Sequence, residues 1–273
     1  MVEPNSGSRT GELPKENSAT IPSTLTNYHN REAAKSSINF SKRKNFRDNI
    51  DSLKLILQPE QESRNPTTYK QMILARYVGF DGLKEIGLDP EKENNWGTKA
   101  DADLKPLVAE VYDVNKKLDM DESQGLLLAA KRSANNAHYT SFPIINGVWK
   151  ALELAGFKGG EILEPSAGIG NFLAAMPPEI ANKSSVNAIE MDRTTGKILQ
   201  RLFPTAESHI TGFEKFKLPE NKFDLIITNI PFGDVKLYDP QLTKHRDKAY
   251  SKAANNLHNF FSQNTLWWLN PEP

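Results

Sequence analysis

Apolar residues set three and four positions apart begin at Asn45, and they predict helices. Tyr69, Met72, Ile73 and Tyr77 form one set, and Leu104, Leu107, Val108, Val111 and Tyr112 a second. Between them Gly79, Gly82 and Gly87 punctuate a turn-rich run, Tyr77-Val78-Gly79-Phe80-Asp81-Gly82-Leu83. A third apolar run covers 125–130, and Ile144, Val148, Trp149 and Leu152 mark a further helix that stops at Gly156. Residues 45–133 read as an all-helical lead-in domain whose methionine and aromatic stripes serve as core.

After Gly160 the period changes. Ile162-Leu163 before Glu164 is a short buried strand, followed by a glycine-containing turn and a helix from about Asn171. Residues 186–189 form a second strand ending in Glu190, and an amphipathic helix then runs through Phe203. A third strand is expected at 208–210 and a fourth at 223–228, ending in Asn229-Ile230-Pro231-Phe232. Strands and helices alternating at this spacing predict an α/β fold with a parallel, doubly wound sheet in 134–273. Residues 1–44, polar and without apolar periodicity, are expected to be a disordered tail. No internal repeat is visible.

Composition narrows the chemistry. Only 38% of residues are hydrophobic, in keeping with an unpacked segment. Lys plus Arg and Asp plus Glu both number 34, so the chain is not globally basic, although a local basic strip is compatible with that balance. The absence of cysteine excludes disulfides, a thiol nucleophile and Cys-based zinc sites, and the five histidines show no ligand spacing, so no metal is expected. No apolar run approaches the ~18 residues of a membrane span, and residues 1–9 lack signal-peptide order. The expectation is a soluble, cytoplasmic protein.

Two strand ends carry candidate chemistry. In the turn Glu164-Pro165-Ser166-Ala167-Gly168-Ile169-Gly170-Asn171-Phe172, Gly168 and Gly170 let the backbone turn sharply and let a ligand lie against it. The third glycine of a dinucleotide fingerprint is replaced by Leu173, and no Gly-Lys-Ser/Thr follows, which disfavours a pyrophosphate. Glu190 closes the next strand 20 residues beyond Gly170, the place and chemistry for gripping two ribose hydroxyls. At the fourth strand, Asn229-Ile230-Pro231-Phe232 offers an amide, a rigid turn and an aromatic face. An amide oxygen and a backbone carbonyl together accept both hydrogens of an exocyclic amine, while Phe232 stacks on a flat ring. Packing glycines and an ordinary Asn-containing turn are the competing readings of each motif alone.

Taken in order, residues 164–172, Ile189-Glu190 and 229–232 resemble the motifs of class I S-adenosylmethionine-dependent methyltransferases. Asn-x-Pro-Phe is similar to the branch that methylates adenine N6 in DNA; glutamine and RNA methylases use close variants. Asn136-Ala137-His138-Tyr139-Thr140-Ser141 resembles that branch's Tyr-Thr-Pro segment, with the proline two residues late at Pro143. Residues 74–83 and 229–233 are similar to the very large methylase–helicase proteins of phages and conjugative elements, a resemblance running from about 70 to 269.

The resemblance implies a Rossmann-like methyltransferase sheet with S-adenosylmethionine held by Tyr139, Thr140, Glu164, Pro165, Ser166, Ala167, Gly168 and Gly170 around its methionine part. Glu190 would take the ribose, and Phe213 and Glu214 would flank the adenine. Asn229, Ile230, Pro231 and Phe232 would receive the target base from DNA, flipped out or single-stranded. Glu164 either braces the glycine turn or touches the cofactor. Only four strands of the family's sheet are placed, so the chain is expected to be C-terminally truncated, with residues 223–228 an unpaired edge and a second polypeptide as a partner that completes the sheet. Three functions stay open: a site-specific DNA adenine-N6 methyltransferase, an inactive cofactor- or partner-binding module, and an RNA or protein-glutamine methylase.

Overall fold

The computed structural model describes residues 26–29, 41–57, 66–98, 102–117, 127, 140–216, 222–230, 259, 261–262, 265 and 269. Helix α1 (Lys42–Ile56) starts at Ser41, whose hydroxyl accepts a hydrogen bond from the Lys44 amide at 3.4 Å. Its buried face carries Phe46, Ile50, Leu53 and the polar Asn49. Asn49 donates to the Gly79 carbonyl and accepts from the Val78 amide, so it holds the turn that follows α2 (Thr68–Leu74). There Gly79 takes φ +68°, a left-handed conformation that side chains resist, and Tyr77, Phe80 and Leu83 turn into the core. Helix α3 (Lys105–Lys116) packs Leu107, Val108, Val111 and Val114 inward. Its Glu110 accepts from Arg47 at 2.8 Å and Lys54 at 2.7 Å on α1. Such partly exposed pairs contribute up to about 1 kcal/mol each, so apolar burial dominates this contact.

Helix α4 (Phe142–Leu154) buries Ile145 and Trp149, and the Trp149 indole N–H donates to the Phe172 carbonyl at 2.9 Å. Then come β1 (Glu161–Glu164), α5 (Asn171–Ala174), α6 (Pro178–Ala181), β2 (Ser185–Glu190), α7 (Arg193–Leu202), β3 (Glu207–Ile210) and β4 (Leu225–Ile226). The helix expected from Asn171 is a single turn, because Met176-Pro177-Pro178 follows and proline cannot continue a helix. The sheet order is β3-β2-β1-β4 and every pairing is parallel. This is the doubly wound α/β arrangement that the alternating pattern predicts.

Ile162 and Ala188 join one hydrophobic core that extends through α1, α2, α3, α4 and α7. Leu163 and Ile189, one residue further and so on the opposite face, are also fully buried but outside that core. At the far end of the sheet from the strands' carboxyl termini, the Asp224 carboxylate accepts the Glu161 amide at 2.8 Å. A Cβ on Gly160 would come within 2.2 Å of that same carboxylate, so the close approach needs glycine.

The fourth strand corrects the expectation. Only Leu225 and Ile226 enter the ladder, beside Ile162 and Leu163, and the start of 223–228 is not an unpaired edge. Phe223 forms a parallel bridge with Leu269, which follows helical residues Asn259, Phe261, Ser262 and Thr265. At that one point the edge therefore has a partner. Phe260, Trp267 and Trp268, near Leu269 in sequence, lie outside the described residues.

Within the segment read as a tail, residues 26–29 are tied down and α1 already begins at Lys42. The Tyr28 amide donates to the Leu202 carbonyl at 2.7 Å, and Asn27 exchanges two hydrogen bonds with Thr205. Gln71 on α2 donates to the Thr26 carbonyl at 2.8 Å.

Candidate functional site

The carboxyl ends of β1, β2 and β4 place the glycine turn, Glu190 and Asn229 at one edge of the sheet. Beyond β1 the chain turns through two left-handed glycines, Gly168 at φ +58° and Gly170 at φ +87°. The Ala167 amide donates to the Ile189 carbonyl at 2.9 Å, which anchors this turn to β2. Gly170 is also packed. A Cβ there would lie 2.4 Å from the Phe203 ring and 2.9 Å from Leu199, both at the end of α7. Pro165, Ala167 and Gly170 are buried, whereas Ser166 and Gly168 reach the surface and form the part a ligand can touch.

Glu190 is the hinge of this arrangement. One carboxylate oxygen accepts the Gly168 amide at 2.8 Å and the other accepts the Asp192 amide at 2.7 Å. Asp192 in turn caps α7 by accepting from the Thr195 amide at 2.8 Å. Each Glu190 oxygen keeps acceptor capacity after its backbone bond, enough for a pair of hydroxyls. Burial raises this carboxyl to about 7; the Asp192, Gly168 and Met191 amides pull it down, and the Asp192 charge pushes it up.

Glu164 lies on the same sheet face as Glu190, because it pairs with Ala188 two residues before Glu190. It is 2% exposed, and its Oε2 has no hydrogen-bond partner. Burial holds its carboxyl well above the ordinary carboxylate range, and the Glu190 charge pushes the same way.

After β3, the Glu214 carboxylate folds over Gly212, where a Cβ would meet it at 2.3 Å. Phe213 is buried and stacked on Phe261, with ring centroids 4.3 Å apart and planes 13° from parallel. Asn229 and Ile230 follow β4 and are half-buried, at the same edge as the glycine turn by the register of β4 with β1. Thr140 is half-buried immediately before α4. Tyr139, Pro231 and Phe232 lie outside the described residues. Among the described residues no cluster of three or more His, Asp or Glu is placed to hold a metal ion.

Sequence reasoning missed Met191. It follows Glu190 and is 74% exposed at the lip of the crevice, an apolar surface of the kind a flat ring covers. A single apolar residue after a strand carries no periodic signal; its place behind the strand-ending acid is the clue.

No family model matches the chain. A stretch of 120 residues, 43% of the chain, is 34% identical to defense against restriction protein B of Escherichia phage P1, and this chain spans 5% of that protein's length. Among solved structures it is similar to a Listeria monocytogenes chain assigned to the class I S-adenosylmethionine-dependent methyltransferases, at 14% identity and a TM-score of 0.38, over 83% of this chain and 69% of that one. It is also similar to the methyltransferase subunit of a type I restriction-modification system from Streptococcus thermophilus, at 14% identity and a TM-score of 0.38, over 81% and 53%. The fold assignment rests on the sheet order above and not on these distant alignments.

Proposed function

We propose that the chain binds S-adenosylmethionine at the carboxyl edge of the sheet and serves methyl transfer to the N6 amine of adenine in DNA. The observation that carries this reading is the sharing of one edge by three features: the Gly168 and Gly170 turn, the Glu190 carboxylate bonded to it, and Asn229 on the strand next to β1. The donor set fits the cofactor. Glu190 has acceptor capacity for a ribose diol, Gly168 is partly exposed at the turn, and buried Glu164 has an oxygen still without a partner.

When bound, S-adenosylmethionine supplies an activated methyl group for in-line displacement. What the protein contributes is positioning and charge placement. The Asn229 side-chain oxygen and the Ile230 carbonyl accept the two N6 hydrogens, which turns the nitrogen lone pair towards the methyl. By its motif Phe232 would offer an aromatic face to the ring, and exposed Met191 would offer an apolar surface to the cofactor's adenine. The target base is out of reach inside a duplex, so it is flipped out or taken from a single strand. Methylating DNA blocks endonucleases that read the same base, which agrees with the name of the phage P1 relative.

Labelled cofactor offered together with DNA, RNA and protein tests the reading: label is expected in DNA as N6-methyladenine, and label in RNA or glutamine instead would overturn the substrate. For the cofactor, Glu190→Ala is expected to weaken binding of S-adenosylhomocysteine by about 2 kcal/mol, the scale of lost charge-assisted hydrogen bonds. Calorimetry that finds equal affinity in both proteins removes Glu190 from the site. Affinity should also follow pH. With Glu190 titrating at about 7, only its ionised form accepts both hydroxyls, so affinity should rise about tenfold from pH 6 to pH 8. Glu190→Gln should flatten that profile.

A further inference from the structure

Helix α7 links the two halves of the crevice. Its capping residue Asp192 holds Glu190 through a backbone amide, and at its other end the Phe203 ring lies directly against Gly170. Phe203 is 1% exposed and ends the helix with φ −128° and ψ 66°, so its ring position depends on how the chain leaves the helix. That exit is bracketed from outside. The Leu202 carbonyl, one residue before Phe203, accepts the Tyr28 amide at 2.7 Å. Thr205, two residues after it, accepts from the Asn27 Nδ2 at 2.6 Å and donates its amide to the Asn27 Oδ1 at 3.2 Å. Tyr28 packs on the core, and Gln71 of α2 holds the Thr26 carbonyl, so the bracket is anchored in the lead-in helices.

We infer that residues 26–29 are a positioning strap for the nucleoside site: by bracketing Phe203 they hold its ring under Gly170 and keep the glycine turn in its ligand-ready shape. Asn27, Tyr28 and Phe203 are positioning residues that act through Gly170 and touch no ligand themselves. The strap is suited to this task because its hold is local. Its two side-chain bonds to Thr205 are exposed, so they open and close without unpacking the core. The lead-in region thereby gains a route to the cofactor crevice that runs through neither the sheet nor the crevice mouth. The ligand arm of this inference rests on the proposed cofactor reading; the backbone arm does not.

Amide hydrogen exchange on the full chain provides the test. The Gly168 amide is bonded to Glu190 and the Gly170 amide to the Ala167 carbonyl at 2.9 Å, so both report the shape of the turn. Asn27→Ala is expected to speed exchange at Gly168 and Gly170 about tenfold, on the scale of one lost hydrogen bond. The Ile227 amide, bonded to the Leu163 carbonyl inside the sheet, should keep its rate. Asn27→Asp should restore wild-type exchange, because the Thr205 amide and hydroxyl both donate to a carboxylate. Unchanged exchange at Gly168 and Gly170 overturns the inference. So does a uniform rise that includes Ile227, which would make the strap a source of global stability alone. S-adenosylhomocysteine affinity, measured alongside, should fall about tenfold in Asn27→Ala and recover in Asn27→Asp. If the wild-type chain does not bind that probe, the cofactor reading fails, and the exchange rates still decide the strap.

Discussion

Asn229→Ala is expected to abolish methyl transfer, with a fall of at least about 10²–10³-fold, while S-adenosylhomocysteine affinity stays within about twofold of wild type. The separation follows from where Asn229 stands. It leaves β4 at the crevice edge, while the groups proposed to hold the cofactor leave β1 and β2. Loss of its amide would remove one of the two acceptors proposed to orient the N6 amine, and the Ile230 carbonyl alone would leave that nitrogen free to rotate. The measurement is initial rates of labelled methyl incorporation beside calorimetric affinity. Near-wild-type transfer by Asn229→Ala would show that the residue merely ends a strand.

The second large effect is on stability, from Gly170→Ala. The substitution combines a left-handed backbone, which costs a side chain about 1–2 kcal/mol, with overlap against buried Phe203 and Leu199, which costs about 1–3 kcal/mol more. A loss of about 3 kcal/mol is expected in urea unfolding. Gly147 is the matched control. It sits inside α4 with nothing within 4 Å of an added Cβ, so Gly147→Ala should stabilise by up to about 1 kcal/mol through helix propensity. Equal effects of the two substitutions would mean that Phe203 does not press on the turn.

The sheet was legible because β1 and β2 are apolar runs closed by an acid, a pattern that buried parallel strands impose. Residues 223–228 read as one continuous strand for the same reason. Yet ladder membership depends on a partner, and only Leu225 and Ile226 have one in β1. The glycine turn and Glu190 were legible as types at a spacing, but the bond between Glu190 and the Gly168 amide was not, since it depends on how the turn folds back onto β2. Asn49 was passed over because a buried amide interrupts the apolar stripe of α1, although it holds the next turn. The contacts of residues 26–29 carry no periodic signal. Those to α7 and Thr205 are made by an amide side chain and a backbone amide to positions more than 170 residues away, in a stretch whose composition matches an unpacked tail.

Phe213 shows the limit of carrying a role over from a motif. Its ring is buried and stacked on Phe261, so it is already engaged within the protein. Phe213→Ala should therefore lower stability through the lost stack before it alters any ligand contact.

The Asp224 carboxylate on the Glu161 amide, with Gly160 pressed beneath it, pins β1 to β4 at the end of the sheet remote from the crevice. The sheet is thus riveted at its base, while at its rim the glycine turn after β1 is tied to β2 through Glu190, whose carboxyl burial raises to about 7. Like a hand fan, it can spread at one end and keep its pivot. If the proposed nucleoside binds there, loosening the Glu190 bond to the Gly168 amide would need no loss of strand register, so ligand exchange is expected to be faster than global unfolding.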